Sequence, residues 1–432
     1  MLSILYHRVY RHLFLAQVIA LIGTGLATVA LGLLAYNLAG ERAGAVLGTA
    51  LAIKMSAYIL VAPISAAFVD KFPRRTLLVT LDLIRAAVAI SLPFVTQIWE
   101  IYILIFILQS ASAAFTPTFQ ATIPDILPNE REYTQALSLS RLAYDLESVI
   151  SPMLAAALLT LMSFHNLFAG TAIGFLASAA LVVSVTLPRM QVSAVKRCIY
   201  ERTTRGMRIF LKTPRLRGLL ALNMAVAAAS AMVIVNTVVL IQADFGLTQR
   251  STAIALAVFG LGSIIAALLL PRLLDNMSDR TPMLVGTVIL VAGLGLGVLL
   301  TSYTMLLALW FLLGVGYSLS QTPSGRLLRR SSTSEDRPAL FAAQFALSHS
   351  CWLLTYPLAG WIGAEFSIQA SFIALSLVAV TSLLVAVIIW RPEHEIASQL
   401  HCHIDPETNQ QKFHEHNFVI DDEHTSWPKS LK

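Results

Sequence analysis

Residues 140–152 read SRLAYDLESVISP and hold three ionisable side chains, Arg141, Asp145 and Glu147. Apolar sequence continues past them to about Met162, and the whole run is long enough to cross a bilayer. Charges at that depth are costly and face a protein interior or a water-filled path. If this stretch is a membrane span, its charges mark where the molecule works.

Composition supports a membrane reading. Of 432 residues, 56% are hydrophobic and 12% charged, about half the charged share of a soluble domain. The net charge of +6 does not point to nucleic acid, because the basic residues cluster in alternate loops between apolar blocks. Cys198, Cys351 and Cys402 form no CxxC pair, disulfide framework or zinc ribbon. No nucleotide-binding motif, cleavable-signal pattern or cofactor motif is present, so the chain reads as neither an enzyme nor an ATP-driven pump.

Twelve spans are expected, at 13–38, 44–68, 76–96, 100–123, 136–162, 166–187, 217–243, 251–271, 282–301, 303–322, 339–362 and 367–390. The fold class is therefore an all-α membrane protein. If the N-terminus is cytoplasmic, the inner segments carry Arg8, Arg11, Lys71, Arg74, Arg75, Arg131, Arg272, Arg280, Arg326, Arg329, Arg330 and Arg337, and the outer loops only Arg42 and Arg250. This asymmetry predicts both termini inside.

Residues 1–187 and 217–390 are expected to form two pseudo-symmetric six-helix bundles. The basic segment 188–216 joins them, and 391–432 is an acidic, His-rich tail. The linker's RGMRIFLK, residues 205–212, suits either an amphipathic helix on an anionic leaflet or a solvated connector. FVDKFPRR at 68–75 and LLDNMSDR at 273–280 are weak repeats, each with an acid near a helix end and a base shortly after. Such six-plus-six repeats describe a two-domain transporter with its site near the midplane.

At these residues the sequence resembles the major facilitator superfamily over about residues 10–390. Asp70, Arg74 and Arg75 match that family's loop motif, while Ala66, Lys71 and Pro73 depart from it. The fifth span resembles the antiporter motif but keeps only Pro152; Glu147, Ser151, Ala155 and Ala156 stand where glycines are expected. Phe106 stands where the family often has an arginine. Pro117, Ala121, Pro124 and the 205–217 segment are similar to the siderophore and macrolide exporter branch. SHSCWLLTYPLAGW, residues 348–361, together with the tail, resembles the nickel-resistance (NRE-type) exporters. The resemblance implies that spans two and eleven meet across the domain interface, as do five and eight. It also implies that Asp70, Arg74 and Arg75 form a gating loop.

Further candidates come from the residues. Asp82 and Arg85 lie three apart in span three and read as a structural pair or as part of that gate. Lys54 is roughly ten residues from either end of its span, too deep to snorkel easily, so it points inward. Arg141 and Asp145, at i and i+4, can pair. Glu147 lies about 200 degrees around the helix from Asp145, so the two acids do not form one chelating face. Glu147 is the first proton-coupling candidate, with Asp145 beside it; a salt-bridged structural cluster is the alternative. His349 is again near mid-depth, a metal ligand, proton relay or packing residue, and cannot share a face with Cys351. Gln17, Asn37, Gln109, Asn223, Asn236 and Gln344 line a cavity or bond helix to helix.

The tail holds six of the ten histidines, with eight acids against four bases. His401, Cys402, His403, His414 and His416 suit a metal-buffering segment, and incidental histidines in a solvated tail are the alternative. The sequence thus predicts a monomeric secondary exporter of the inner membrane, coupled to protons and acting on a small substrate. Nickel, with cobalt as a second ion, is the first expectation. Export of an organic compound (siderophore, metal chelate or drug) and a metal-responsive membrane sensor are the others.

Overall fold

In the computed structural model the described residues are 2–39, 43–68, 72–188, 199–275, 277–392, 398–404, 411–417, 419, 420, 424 and 427. The helices are α1 Arg8–Ala39, α2 Ala43–Ala66, α3 Arg74–Ser91, α4 Ile98–Ile126, α5 Glu130–Leu159 and α6 His165–Val183 in the first half. Then come α7 Ile199–Lys212, α8 Pro214–Val239, α9 Gln249–Leu274, α10 Arg280–Gly297, α11 Tyr303–Gln321, α12 Ser324–Arg330, α13 Arg337–Glu365 and α14 Ile368–Ile389. Two short strands, β1 Ser398–Ile404 and β2 Gln411–Asn417, follow.

Leaving aside α7 and α12, the long helices coincide with the twelve expected spans. Ten are long and apolar enough to cross a membrane among the described residues. α5, with 30 residues, and α13, with 29, are also long enough and pack among them. The ends follow local chemistry. The Asn129 side chain accepts the amides of Arg131 and Glu132 to start α5, and Gln97 with Glu100 forms a capping box on α4. Pro214 opens α8, where its missing amide costs nothing. Leu60, Ile173, Leu354, Leu377 and Ile388 are exposed around the helices. An apolar belt of this kind is covered by lipid, not by protein. The chain is a multi-pass membrane protein with an all-α membrane fold.

In the first half α1 packs on α5 and α6, α2 on α4, and α3 on α4 and α6. In the second half α8 packs on α13 and α14, α9 on α11, and α10 on α11 and α14. Between the halves α2 and α4 meet α13, and α5 meets α9. These are the span pairs, two with eleven and five with eight, that the family resemblance implies. Close approach needs small residues at two crossings. A Cβ on Gly314 would lie 2.0 Å from the Phe259 carbonyl oxygen, so α9 and α11 touch through glycine. A Cβ on Gly25 would lie 2.2 Å from Ser151 Cβ, which makes Ser151 the contact of α5 on α1.

The amphipathic helix expected in the basic linker exists as α7, and its apolar face lies on protein where a leaflet was one expectation. Ile209 and Phe210 are buried with Leu216, Leu340, Phe341 and Trp390. Gly206 lets α7 reach the Ala339 carbonyl, where a Cβ would clash at 2.0 Å. Arg205 adds an ion pair to Asp336, with Nη2 donating at 2.7 Å. Packing those apolar side chains on protein removes them from water, which stabilises this placement of the helix.

The tail departs from a solvated coil. β1 and β2 form an antiparallel ladder with His401 opposite His414 and Cys402 opposite Phe413. Ile420 is buried beside Leu328 and Trp390, His424 is buried, and Trp427 lies 5.3 Å from the Arg215 guanidinium. The chain beyond α14 thus returns to the helix ends that carry the basic loops, called the basic end below.

Candidate functional site: a charged interior and a closed basic end

The interior charges fall into two groups. Arg141 pairs with Asp145 on its own helix, Nε donating at 3.1 Å and Nη2 closing a second contact. The same guanidinium donates to Ser263 of α9 at 3.2 Å and stacks on Tyr317 of α11 at 4.3 Å. This pair looks into the second half.

Glu147 looks the other way. Its Oε1 lies against α1, 2.7 Å from where a Cβ on Gly25 would stand. Lys54 of α2 is the charge that acts on both Glu147 and His349. The Lys54 ammonium sits 5.6 Å from the Tyr58 ring, and His349 of α13 meets that ring edge-on at 4.7 Å. Phe345 and Trp352 complete an aromatic surround for His349, at 4.2 and 5.6 Å. One imidazole nitrogen, Nδ1, is within 2.7 Å of the Phe345 carbonyl, leaving Nε2 free of that bond. Lys54 and His349 therefore meet around Tyr58 where α2 packs on α13, Glu147 stands against α1 within range of the Lys54 charge, and Asp145 belongs to Arg141.

That geometry bears on metal binding. Cys351 is buried and directed to the Leu347 carbonyl at 3.4 Å, away from His349's surround. Among the described residues no three of His, Cys, Asp and Glu converge as a metal site would require. The side chains of His401, Cys402, His403, His414 and His416 lie outside the described ones, as does that of Pro152.

Asp82 and Arg85 are a buried pair within the first half. Ser178 of α6 donates to Asp82 at 2.8 Å, and Arg85 lies between the rings of Phe115 and Phe175 at 4.1 and 4.6 Å. Their hydrogen-bond and ring partners among the described residues lie on α3, α4 and α6. Three members of the small polar set bond helix to helix. Gln17 accepts from Ser140, Asn223 accepts from Gln321, and Asn236 donates to the Ala359 carbonyl and to Ser371.

At the basic end, arginines and carboxylates tie the halves together. Asp125 at the end of α4 accepts from Arg74 at 2.5 Å and also pairs with Arg337 of α13. Glu130 pairs with Arg326 at 2.7 Å, and Arg131 with Asp275 at 3.1 Å. Asp279 holds Arg326 at 3.0 Å and Arg330 at 2.9 Å. Asp70 lies outside the described residues, Arg75 is exposed, and Arg74 is buried on Asp125. Of the loop motif, Arg74 is thus the residue placed in the network. Sequence reasoning missed Asp125, Glu130 and Asp279 as partners. The signal was present: Asp279 sits in the repeat of the 68–75 loop, and Asp125 and Glu130 flank a turn next to basic segments.

Charged side chains buried within a bundle of membrane-crossing helices, on helices from both halves, define a multi-pass membrane protein of transporter architecture. The chain belongs to the Major Facilitator Superfamily, whose sequence profile matches residues 13–235 and 219–401. It is 29% identical over 131 residues to the uncharacterized MFS-type transporter YfiS of Bacillus subtilis, 30% of this chain and 31% of that one. It is 25% identical over 154 residues to macrolide efflux protein A of Enterococcus faecalis, 33% of this chain and 47% of that one. The matched stretches thus span a third to a half of these curated relatives. Among solved structures, the human organic anion transporter MFSD10 superposes with a TM-score of 0.75 at 13% identity, over 88% of this chain and 99% of that one. A bacterial homologue of the iron transporter ferroportin, in an outward-facing state, gives 0.72 at 15% identity, over 88% and 98%. These structural likenesses speak to the fold alone.

Proposed function

We propose that this chain is a secondary exporter of a small organic compound, working by alternating access of residues 1–187 against 217–390 in the inner membrane. The basic end and both termini face the cytoplasm, by the excess of basic residues there. Export is driven by proton antiport, with Glu147 as the proton-carrying group. The observation that carries this reading is the meeting of Lys54 and His349 with Tyr58, Phe345 and Trp352 where α2 packs on α13 across the two halves, with the Glu147 carboxylate against α1 within range of the Lys54 charge. A few ionisable groups among aromatic faces suit an organic molecule with a charged or polar centre. A bare divalent ion needs several converging donors, and a nearby ammonium opposes it. The likeness to macrolide efflux protein A points the same way.

Proton exchange follows from elementary electrostatics. A carboxylate within range of the Lys54 ammonium is stabilised as an anion by that charge and disfavoured by removal from water. A substrate that engages Lys54 weakens the first effect, so substrate binding and proton loading influence each other. Inverted vesicles with an imposed pH gradient and a panel of macrolide, siderophore and dye substrates test this. Accumulation must collapse when the gradient is dissipated and in Glu147→Gln; accumulation that persists in both removes the proposal.

A metal-export reading is favoured by one specific feature, the ladder that sets His401 opposite His414, with His403 and His416 two residues along. Deleting residues 394–432 and measuring nickel tolerance and cytosolic nickel separates the two. Unchanged values in the truncated strain and in a full knockout leave only the organic reading.

A further inference from the structure

At the basic end a half-open pocket of about 460 Å³ is lined by Arg326, Arg329 and Arg330 of α12, Arg337 of α13, and Pro128 and Glu130 from the first half. Val419 of the tail forms part of the same wall. Three of these arginines have carboxylate partners: Arg326 with Glu130 and Asp279, Arg330 with Asp279, and Arg337 with Asp125. Arg329 has no carboxylate partner among the described residues. Its Nη2 donates to the Pro128 carbonyl, its guanidinium lies 5.3 Å from the Tyr133 ring, and its Nη1 is buried with no acceptor among the described residues. Arg337 Nε is likewise buried with no acceptor among the described residues. Burial pushes Arg337 below the ordinary arginine range; Asp125 opposes this and the Arg329 charge adds to it.

A buried donor with no acceptor costs free energy, more so when it is charged. Among the described residues the pocket is therefore short of oxyanion acceptors, with four arginines lining it and three carboxylates, Glu130, Asp125 and Asp279, paired to them. Its volume falls in the range of small-molecule sites and exceeds what a water or halide fills. Arginine forks match phosphate geometry with paired N–H donors.

We propose that this pocket is a binding site for a phosphate group, carried by an anionic lipid headgroup or by a soluble phosphate ester. The phosphate oxygens accept from Arg329 Nη1 and Arg337 Nε. The walls come from both halves, so the site is complete only while the basic end is closed. An occupant binds that state in preference and holds it. The site does not depend on the nature of the exported compound or on proton coupling.

The test uses the full-length protein in nanodiscs and reads thermal stability. In one arm, discs of phosphatidylcholine alone are titrated with glycerol 3-phosphate, with sodium chloride at matched ionic strength as the control. In the other, phosphatidylcholine discs are compared with discs containing phosphatidylglycerol. Stabilisation is expected in at least one arm, and the arm identifies the source. Arg329→Gln is expected to weaken the response about tenfold or more, and Arg329→Lys, which keeps the charge and loses the fork, to an intermediate degree. Arg217→Gln, an exposed arginine of α8 outside the pocket, is expected to respond as the parent does. The proposal is overturned if neither arm stabilises the protein, if chloride reproduces the effect, or if both Arg329 variants respond as the parent does. It is equally overturned if Arg217→Gln weakens the response as much as Arg329→Gln. Arg329→Lys keeps the experiment decisive if Arg329→Gln fails to fold.

Discussion

Replacing Asp125 by asparagine isolates the contact that must break when the basic end opens. Asp125 accepts from Arg74 of its own half and from Arg337 of the other, with side-chain exposures of 18%, 3% and 12% respectively. The Arg74 bond joins α3 to α4 and persists in either state, so only the Arg337 contact distinguishes closed from open. A hydrogen bond to a charged group contributes about 1.5–3 kcal/mol, and partial exposure of Asp125 favours the lower half of that range. A loss of about 2 kcal/mol shifts the closed-to-open ratio roughly 30-fold. Arg74 and Arg337 are also left facing each other without the carboxylate between them, which adds in the same direction. Glu132 and Arg217 are exposed positions near the basic end, one in each half. Spin labels at Glu132→Cys and Arg217→Cys, with Cys198, Cys351 and Cys402 changed to serine, report the separation by pulsed electron resonance. Asp125→Asn and Arg337→Gln are expected to move most of the distance distribution to longer values. Arg74→Gln is expected to change it little. An unchanged distribution in Asp125→Asn, or a shift in Arg74→Gln equal to that in Arg337→Gln, refutes the gating argument.

Three further outcomes follow from the interior. Glu147→Gln is expected to cut gradient-driven export about tenfold or more while substrate binding in detergent changes far less, read by vesicle flux against equilibrium binding. Arg85→Met leaves Asp82 buried with Ser178 as its remaining hydrogen-bond partner, and is expected to destabilise the protein by about 3–5 kcal/mol; Asp82→Asn in the same chain restores part of the thermal midpoint. Gly25→Leu overlaps Ser151 and crowds Glu147, costing about 1–3 kcal/mol in thermal unfolding, and a compensating Ser151→Gly is expected to recover part of it.

Local sequence carried much of the architecture. Apolar runs of span length and the alternation of basic loops depend on the bilayer's thickness and the cost of unpaired backbone, so they can be read without contacts. The i, i+4 spacing of Arg141 and Asp145 and the opposed direction of Glu147 follow from helix geometry, and the structure has both. The partners across helices were not legible in this way. Asp125 and Arg337 are 212 residues apart, and Glu130 and Arg326 are 196 apart. Nothing local selects one basic loop residue over its neighbours.

The interior group shows the same division. The depth of Lys54 and His349 in their spans was legible from counting, and the meeting of α2 with α13 was implied by family resemblance. Their shared contact with Tyr58 was visible only once those helices were packed. The sequence by itself determined an all-α membrane protein, the place of its spans and the helix faces of its charges, because a bilayer imposes those one segment at a time. Tertiary structure alone decided that Glu147 stands against α1 within range of Lys54, that α7 and the tail return to the basic end, and that Arg329 Nη1 has no acceptor among the described residues. Each of those depends on how surfaces far apart in the chain fit together, and ion pairing acts over distances that only packing sets.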